Sequence, residues 1–171
     1  MKAVVALLTL LAGPAAAQDF DPAMAEACLS AGRQAMRDGA SVNDGLMACV
    51  GDAAQACEDR LGSPTTLDMN ACRGAEADWW DGRLNATYGD LRRLIETREA
   101  GSEPGSEQSR IESLREMQRA WIGWRDAACA FEGDEYAGGT LAGTVRAGCL
   151  MQRTAHQALW LAGELDRLER Q

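Results

Sequence analysis

The sequence predicts an all-α fold, a small disulfide-stapled bundle of about four to five helices. Three observations support this prediction. Apolar residues recur at steps of three and four along almost every segment, as they do on the buried face of a helix. No stretch alternates β-branched and polar residues as a strand does. Six cysteines can brace a small bundle with three bridges.

The chain begins with the features of an export signal. Lys2 precedes an apolar run from Ala3 to Leu11, and Ala15–Ala17 resembles a cleavage site of small residues. The run is shorter than the ~20 residues that span a bilayer. We therefore expect residues 1–17 to be a signal peptide. The mature protein is then expected to be soluble, periplasmic or secreted, with no membrane insertion after cleavage.

The remaining 154 residues have the ordinary length of one domain and are strongly acidic. Removal of residues 1–17 takes away one of 17 basic residues and none of 26 acidic ones, which leaves a net charge of −10. Such a charge disfavours nucleic acid and anionic lipid surfaces as partners. It favours a basic partner, or it serves solubility alone.

Two helices are predicted before residue 62. The first runs from Pro22 to Arg37 and stops at Asp38-Gly39. Ser41 or Asn43 can cap a second helix, which we expect to continue without a break to Leu61-Gly62.

A long third helix is predicted to follow and to end near Glu99. Thr65-x-x-Asp68 after Pro64 resembles a capping box, with Asp in place of the usual Glu. The steps of three and four within this helix form one continuous stripe, made of Trp80, Leu84, Tyr88, Leu91 and Ile95.

Two further helices complete the prediction. After a loop at residues 100–106, a fourth helix is expected to end near Phe131. A glycine-containing loop covers residues 134–143, and a last helix spans about Val145–Leu168. We expect Trp121 and Trp124 to fill the buried stripe of the fourth helix.

Six cysteines in an exported chain imply a disulfide framework with 15 possible connectivities. Two helices joined by a short loop lie antiparallel, so cysteines placed on either side of the loop come together. Only one scheme closes a local hairpin with every bridge. It pairs Cys28 with Cys49, Cys57 with Cys72, and Cys129 with Cys149.

Two stretches carry a family resemblance. The first contains residues 65–72 with Cys57 and Cys72, followed by Leu84-Asn85, and the second is residues 118–129 with its Gln-Arg-Ala-Trp and Arg-Asp-x-x-Cys motifs. Over residues 57–161 the chain resembles the lysozyme inhibitor LprI-like N-terminal domain family of small exported bacterial helical domains. Residues 18–56 then form an N-terminal extension, packed with residues 57–171 as one domain.

The resemblance implies an exported, non-catalytic binding protein whose partner is a basic lysozyme or muramidase. The alternative is an envelope structural or stress-related protein that binds another envelope protein and never touches lysozyme. The family motif residues can form a recognition surface, but we expect most of them to be structural, with Arg125 paired to Glu76 or Asp81. These residues are Leu84, Asn85, Tyr88, Gln118, Arg119, Trp121, Arg125 and Asp126.

An acidic loop is the preferred contact for a basic partner. Glu132, Asp134, Glu135 and Tyr136 lie between two cysteines that we expect to be joined, which would preorganise the loop for binding. The same loop can also be a solvated turn whose glycines serve the backbone.

Catalysis, cofactors and metals find little support in the sequence. His156 is the only histidine, and no Cys-x-x-Cys pair is present. We therefore expect no enzymatic activity, no cofactor and no metal site. Adjacent Trp79 and Trp80 raise the alternative of a sugar-stacking platform, although core packing is the default for such residues.

Overall fold

The structure, a computed structural model, describes residues 20–100 and 109–171. The expected signal peptide and most of the loop at residues 100–106 lie outside these ranges. The all-α prediction is confirmed within them, where none of the helices is long and apolar enough to cross a membrane. The α-helices are α1 (Pro22–Arg37), α2 (Val42–Gly45), α3 (Asp52–Arg60), α4 (Thr66–Ala100), α5 (Arg110–Asp134) and α6 (Leu141–Glu169).

The two long helices α4 and α6 form the central pair, and α5 packs mainly on α6. The stripe predicted on α4 lies in the core, with Tyr88 partly buried beside it. One core cluster also takes in residues from the extension before residue 57. Its members are Leu29, Cys49, Ala54, Trp80, Leu84, Leu91, Ile95, Ile111, Leu114, Met151, Ala155, Ala158, Leu161 and Leu168.

The predicted second helix is not continuous, and on this point the prediction is wrong. Ser41 caps α2, as expected, by accepting a hydrogen bond from the Asp44 N–H. The chain then passes through a 3₁₀ turn at Met47–Cys49 and restarts as α3 after Gly51. Gly51 has φ of +98°, a left-handed conformation that glycine adopts without steric cost.

Glu76 of α4 supplies the cap that the sequence around Gly51 lacks. Its side chain is 0% exposed. One carboxylate oxygen accepts from the Gly51 N–H at 2.7 Å and from Trp80 Nε1 at 3.0 Å, and the other accepts from the Ala54 N–H at 2.7 Å. The first N–H groups of a helix have no partner inside the helix. A carboxylate from a neighbouring helix therefore satisfies the start of α3 and anchors α3 to α4.

The three disulfides join the pairs that the hairpin argument predicts, Cys28–Cys49, Cys57–Cys72 and Cys129–Cys149. Each bridge links neighbouring elements of the fold. Beside the second bridge, Arg73 donates to the buried carboxylate of Glu58 at 2.8 Å. The extension, the start of α4 and the α5–α6 hairpin are each braced by one covalent link.

The capping box at the start of α4 is present as predicted. Asp68 accepts from the Thr65 hydroxyl at 2.7 Å and the Thr65 N–H at 2.9 Å, while the Asp68 N–H donates to the Thr65 hydroxyl at 3.3 Å. The hydrogen bond from the Thr65 hydroxyl lowers the pKa of the Asp68 carboxyl most, and the hydrogen bond from the Thr65 N–H lowers it further. Together they hold this pKa below its usual value of 3.8.

This pKa shift predicts a pH-dependent contribution to stability. Because the folded pKa is the lower one, the contribution is present above the unfolded pKa and is lost as the pH falls through the folded value. We expect Asp68→Asn to lower the melting temperature at pH 7, and the difference from the unmodified protein to shrink below about pH 4. Asp78→Asn is the control, because its exposed side chain makes no hydrogen bond or ion pair in the described ranges. A melting difference for Asp68→Asn that is independent of pH would contradict this account.

Candidate functional site

Half of the family motif residues form part of the helix packing. Leu84 is in the core, and Tyr88 and Trp121 pack against it while remaining partly exposed. Gln118 is buried and its side-chain oxygen accepts from Nε2 of the buried Gln157 at 3.0 Å, which ties α5 to α6. These side chains contribute to architecture rather than to an open surface.

Three of the four remaining motif residues, Asn85, Arg125 and Asp126, belong to a polar network between α4 and α5. The Arg125 guanidinium stacks over Trp121 at 4.9 Å and bonds Asp126 at 2.8 Å. It also lies 4.0 Å from Asp81, which in turn accepts from Asn85 at 2.7 Å. Of the two carboxylates expected for Arg125, Asp81 is the one nearby.

Two residues of the 118–129 stretch, Arg119 and Trp124, do not fit the packed helix face. The side chain of Arg119 is exposed, with no ion pair to another residue in the described ranges. Trp124 is 54% exposed, so the expectation that it fills the buried stripe is wrong. The physical reason is geometric. Trp124 lies at the edge of the α5–α6 contact, where one face of its ring meets Arg153 of α6 and the rest of the side chain stays uncovered.

Phe131, where the sequence predicted only the end of a helix, is 79% exposed on the same side of α5. Seven residues separate it from Trp124, so the two aromatic side chains stand two turns apart, about 10 Å along the helix axis. Ala120, Gly123 and Ala127 lie between and beside them, and these residues leave both rings uncovered.

The predicted acidic loop is shorter than expected, because α5 extends to Asp134. Glu132 therefore lies within the helix. Its carboxylate is partly buried and pairs with Arg153 of α6 at 2.6 Å. The same Arg153 guanidinium stacks over Trp124 at 4.5 Å. Glu132 is thus already paired within the hairpin and does not offer a free charge to a partner.

Asp134, Glu135 and Tyr136 remain exposed at the tip of the α5–α6 hairpin. The turn is tight, and Gly138 adopts a left-handed conformation with φ of +87°. The buried Gly133 lets the helices approach closely, since an added Cβ would lie 3.3 Å from the Ala142 carbonyl oxygen. The Cys129–Cys149 disulfide joins α5 to α6 close to the tip and so fixes both ends of the turn.

We call Trp124, Phe131, Asp134 and Glu135 the aromatic–acidic face. Asp134 and Glu135 follow Phe131 by three and four residues, so helical spacing places them on the side of α5 that carries Phe131. A few residues carry most of the binding energy of a protein interface, and aromatic residues are enriched at such positions. The face is suited to a partner with apolar pockets and positive charge.

No cluster of three or more His, Cys, Asp or Glu side chains in residues 20–100 and 109–171 could hold a metal ion. His156 is exposed on α6. Trp79 and Trp80 meet edge to face at 4.7 Å, with Trp80 in the core, so they do not form a flat platform for a sugar.

Comparisons with known proteins agree with the motif resemblance. A family model described as lysozyme inhibitor LprI matches residues 57–161. An uncharacterized protein of Rhizobium meliloti is 30% identical over 138 residues, which cover 78% of this chain and 99% of that protein. An uncharacterized 17.7 kDa protein of Rhodobacter capsulatus is 25% identical over 121 residues, 67% of this chain and 73% of that protein. No solved structure gives a significant match.

Proposed function

The chain belongs to the lysozyme inhibitor LprI family, and from this premise we propose that it is an exported, non-catalytic binding protein that inhibits a basic lysozyme or muramidase. The observation that carries the proposal is the aromatic–acidic face. It presents Trp124 and Phe131 largely uncovered on a helix hairpin that a disulfide closes.

Export is the first part of the proposal. The described chain contains three disulfides and no free cysteine. Disulfides of this kind persist in oxidising compartments such as the periplasm and are rare in the cytosol. Together with the signal-like residues 1–17, they support a periplasmic or secreted location.

The second part is how the face would bind. A rigid surface loses little conformational entropy on association, which favours affinity. Trp124 is held by Arg153, and Arg153 by Glu132, so the ring is oriented before the partner arrives. Phe131 would supply the larger apolar area, because it is the more exposed of the two rings.

The third part is the charge. A protein with net charge −9, or −10 without residues 1–17, attracts a basic partner over long range. Asp134 and Glu135 would meet that partner directly. Because the screening length is about 10 Å at 0.1 M salt, the association rate should fall as salt rises while close contacts persist.

Substitutions on the face test this proposal. We expect Trp124→Ala with Phe131→Ala to weaken binding to a basic lysozyme by at least about 2 kcal/mol, the loss typical of anchor residues. Asp134→Asn with Glu135→Gln should chiefly slow association at low salt. Glu132 stays unchanged in these variants because it pairs with Arg153. Binding kinetics at two salt concentrations provide the measurement.

Matched controls separate the face from general effects. Trp160 of α6 is 48% exposed, nearly as much as Trp124, and Trp160→Ala should leave binding unchanged. Asp78→Asn with Glu116→Gln removes the same charge as the Asp134 and Glu135 pair, from exposed positions elsewhere. If controls and face variants lose affinity equally, the contact lies elsewhere. If lysozyme does not bind at all, the alternative of an envelope protein with another partner is favoured.

A further inference from the structure

A cleft of about 670 Å³ opens between α1, the segment after it, and the central pair α4 and α6. Its floor is apolar and well packed, since Leu29, Trp80 and Ala158 line it and are almost fully buried. The cleft is formed by other helices than the aromatic–acidic face on α5. It therefore needs a separate explanation.

The cleft exists because α6 is lined there by small residues. Ala158, Ala162 and Gly163 face it, and a Cβ added to Gly163 would meet no other atom within 4 Å. The opposite wall is fixed, because the Cys28–Cys49 disulfide and the ion pair between Glu26 and Arg83 hold α1 in place. The position of α1 beside the cleft is therefore fixed by a covalent bond and an ion pair.

The rim of the cleft is positively charged although the whole chain carries a net charge of −9. Four arginines and one acidic residue line the cleft. The arginines are Arg33, Arg37, Arg83 and Arg170, and the acidic residue is Asp166. Arg83 and Arg170 already pair with carboxylates.

The two α1 arginines differ from the other two. Arg33 and Arg37 stand one turn apart on α1, and neither guanidinium makes an ion pair with a carboxylate of the described chain. Arg37 donates to the neutral Gln34 side chain at 2.6 Å. Two positive charges beside an apolar cleft are thus left without a counter-charge.

From this juxtaposition we propose that the cleft binds a single-chain amphiphile with a carboxylate head group, of the fatty acid class. Guanidinium groups bind carboxylates through paired, charge-assisted hydrogen bonds, and Arg33 and Arg37 are placed to do so. The tail would lie on the apolar floor, where removal of its surface from water is favourable. The cleft volume falls within the ~300–1,000 Å³ typical of small-molecule sites.

Two features of the site favour this ligand over other classes. A cationic head group would be repelled by the rim, and a sugar would find few polar partners on the floor. Val42, 46% exposed at the mouth, would be covered by the tail. The acidity of the rest of the chain does not prevent binding, because charges beyond about 8 Å are largely screened at physiological salt.

Calorimetric titration of the purified protein with dodecanoate, below its critical micelle concentration, tests the proposal. We expect saturable binding of one dodecanoate per chain, and much weaker binding of acetate, which has no tail, and of dodecyl maltoside, which has no charge. Arg33→Gln with Arg37→Gln should weaken dodecanoate binding by about tenfold or more. Ala162→Phe should block the cleft, with Val42→Asp as a second variant that places a negative charge at its mouth.

A control pair removes the same charge outside the cleft. Arg119→Gln with Arg146→Gln should leave dodecanoate affinity within about twofold, because exposed charges far from a ligand contribute little. The proposal is overturned if dodecanoate does not bind, if dodecyl maltoside binds as well, or if the control pair loses as much affinity as the cleft pair. It is also overturned if dodecanoate binding survives in folded Ala162→Phe and Val42→Asp proteins.

Discussion

Reduction of the three disulfides is expected to unfold this protein at physiological temperature. The bridges span 21, 15 and 20 residues, and each should contribute about 3 kcal/mol by restricting the unfolded chain. The three loops follow one another without overlap, so their effects should add to about 9 kcal/mol. A domain of this size has a total stability of about 5–15 kcal/mol. The fold is therefore expected to depend on an oxidising compartment.

Far-UV circular dichroism with and without a thiol reductant provides the measurement. A graded control is available, since Cys28→Ala with Cys49→Ala removes one bridge and should cost about 3 kcal/mol in urea unfolding. A fully reduced protein that keeps its helical signal and melting temperature would show that the helices pack without the bridges. The argument for export from disulfide dependence would then fail.

Replacement of Glu76 is expected to be the most destabilising single substitution in the fold. Its carboxylate accepts three hydrogen bonds while fully buried, so Glu76→Leu leaves the Gly51 N–H, the Ala54 N–H and Trp80 Nε1 without their acceptor. Each buried donor left without an acceptor typically costs about 1–3 kcal/mol, so the three together should cost about 3–5 kcal/mol or more. Glu76→Gln should cost less, about 2 kcal/mol, because one oxygen acceptor remains.

Urea denaturation gives the measurement, with a lower midpoint and an unchanged slope expected for both variants. Asp78→Asn, two residues away and exposed, should change stability by no more than about 0.5 kcal/mol. If Glu76→Leu unfolds at the same urea concentration as the unmodified protein, the cap on α3 comes from another source.

The helices and bridges were predictable because local patterns determine them. The steps of three and four along α4, the Thr65–Asp68 box and the cysteine spacing each act within one helix or one hairpin. The break at Gly51 was missed because its cap comes from Glu76, 25 residues later in the chain. Nothing near Gly51 in sequence reveals a carboxylate that arrives from another helix.

The candidate surfaces were harder to predict for the same reason. Helical spacing places Trp124 within one step of the buried stripe, but only the packing of α5 on α6 shows which side stays uncovered. Glu132 was predicted to belong to the acidic loop, but its carboxylate pairs with Arg153, which lies 21 residues later in the chain. The arginine-rimmed cleft joins residues of α1, α4 and α6 that no local pattern connects.

Lysozyme activity in the presence of the purified protein tests the central claim most directly. A basic lysozyme acting on bacterial cell walls is titrated with the protein at low and at moderate salt. The account predicts inhibition that saturates near one inhibitor per enzyme at low salt and that needs more protein at moderate salt, because screening weakens the electrostatic encounter. A lysozyme that stays fully active at low salt with the protein in excess would contradict it.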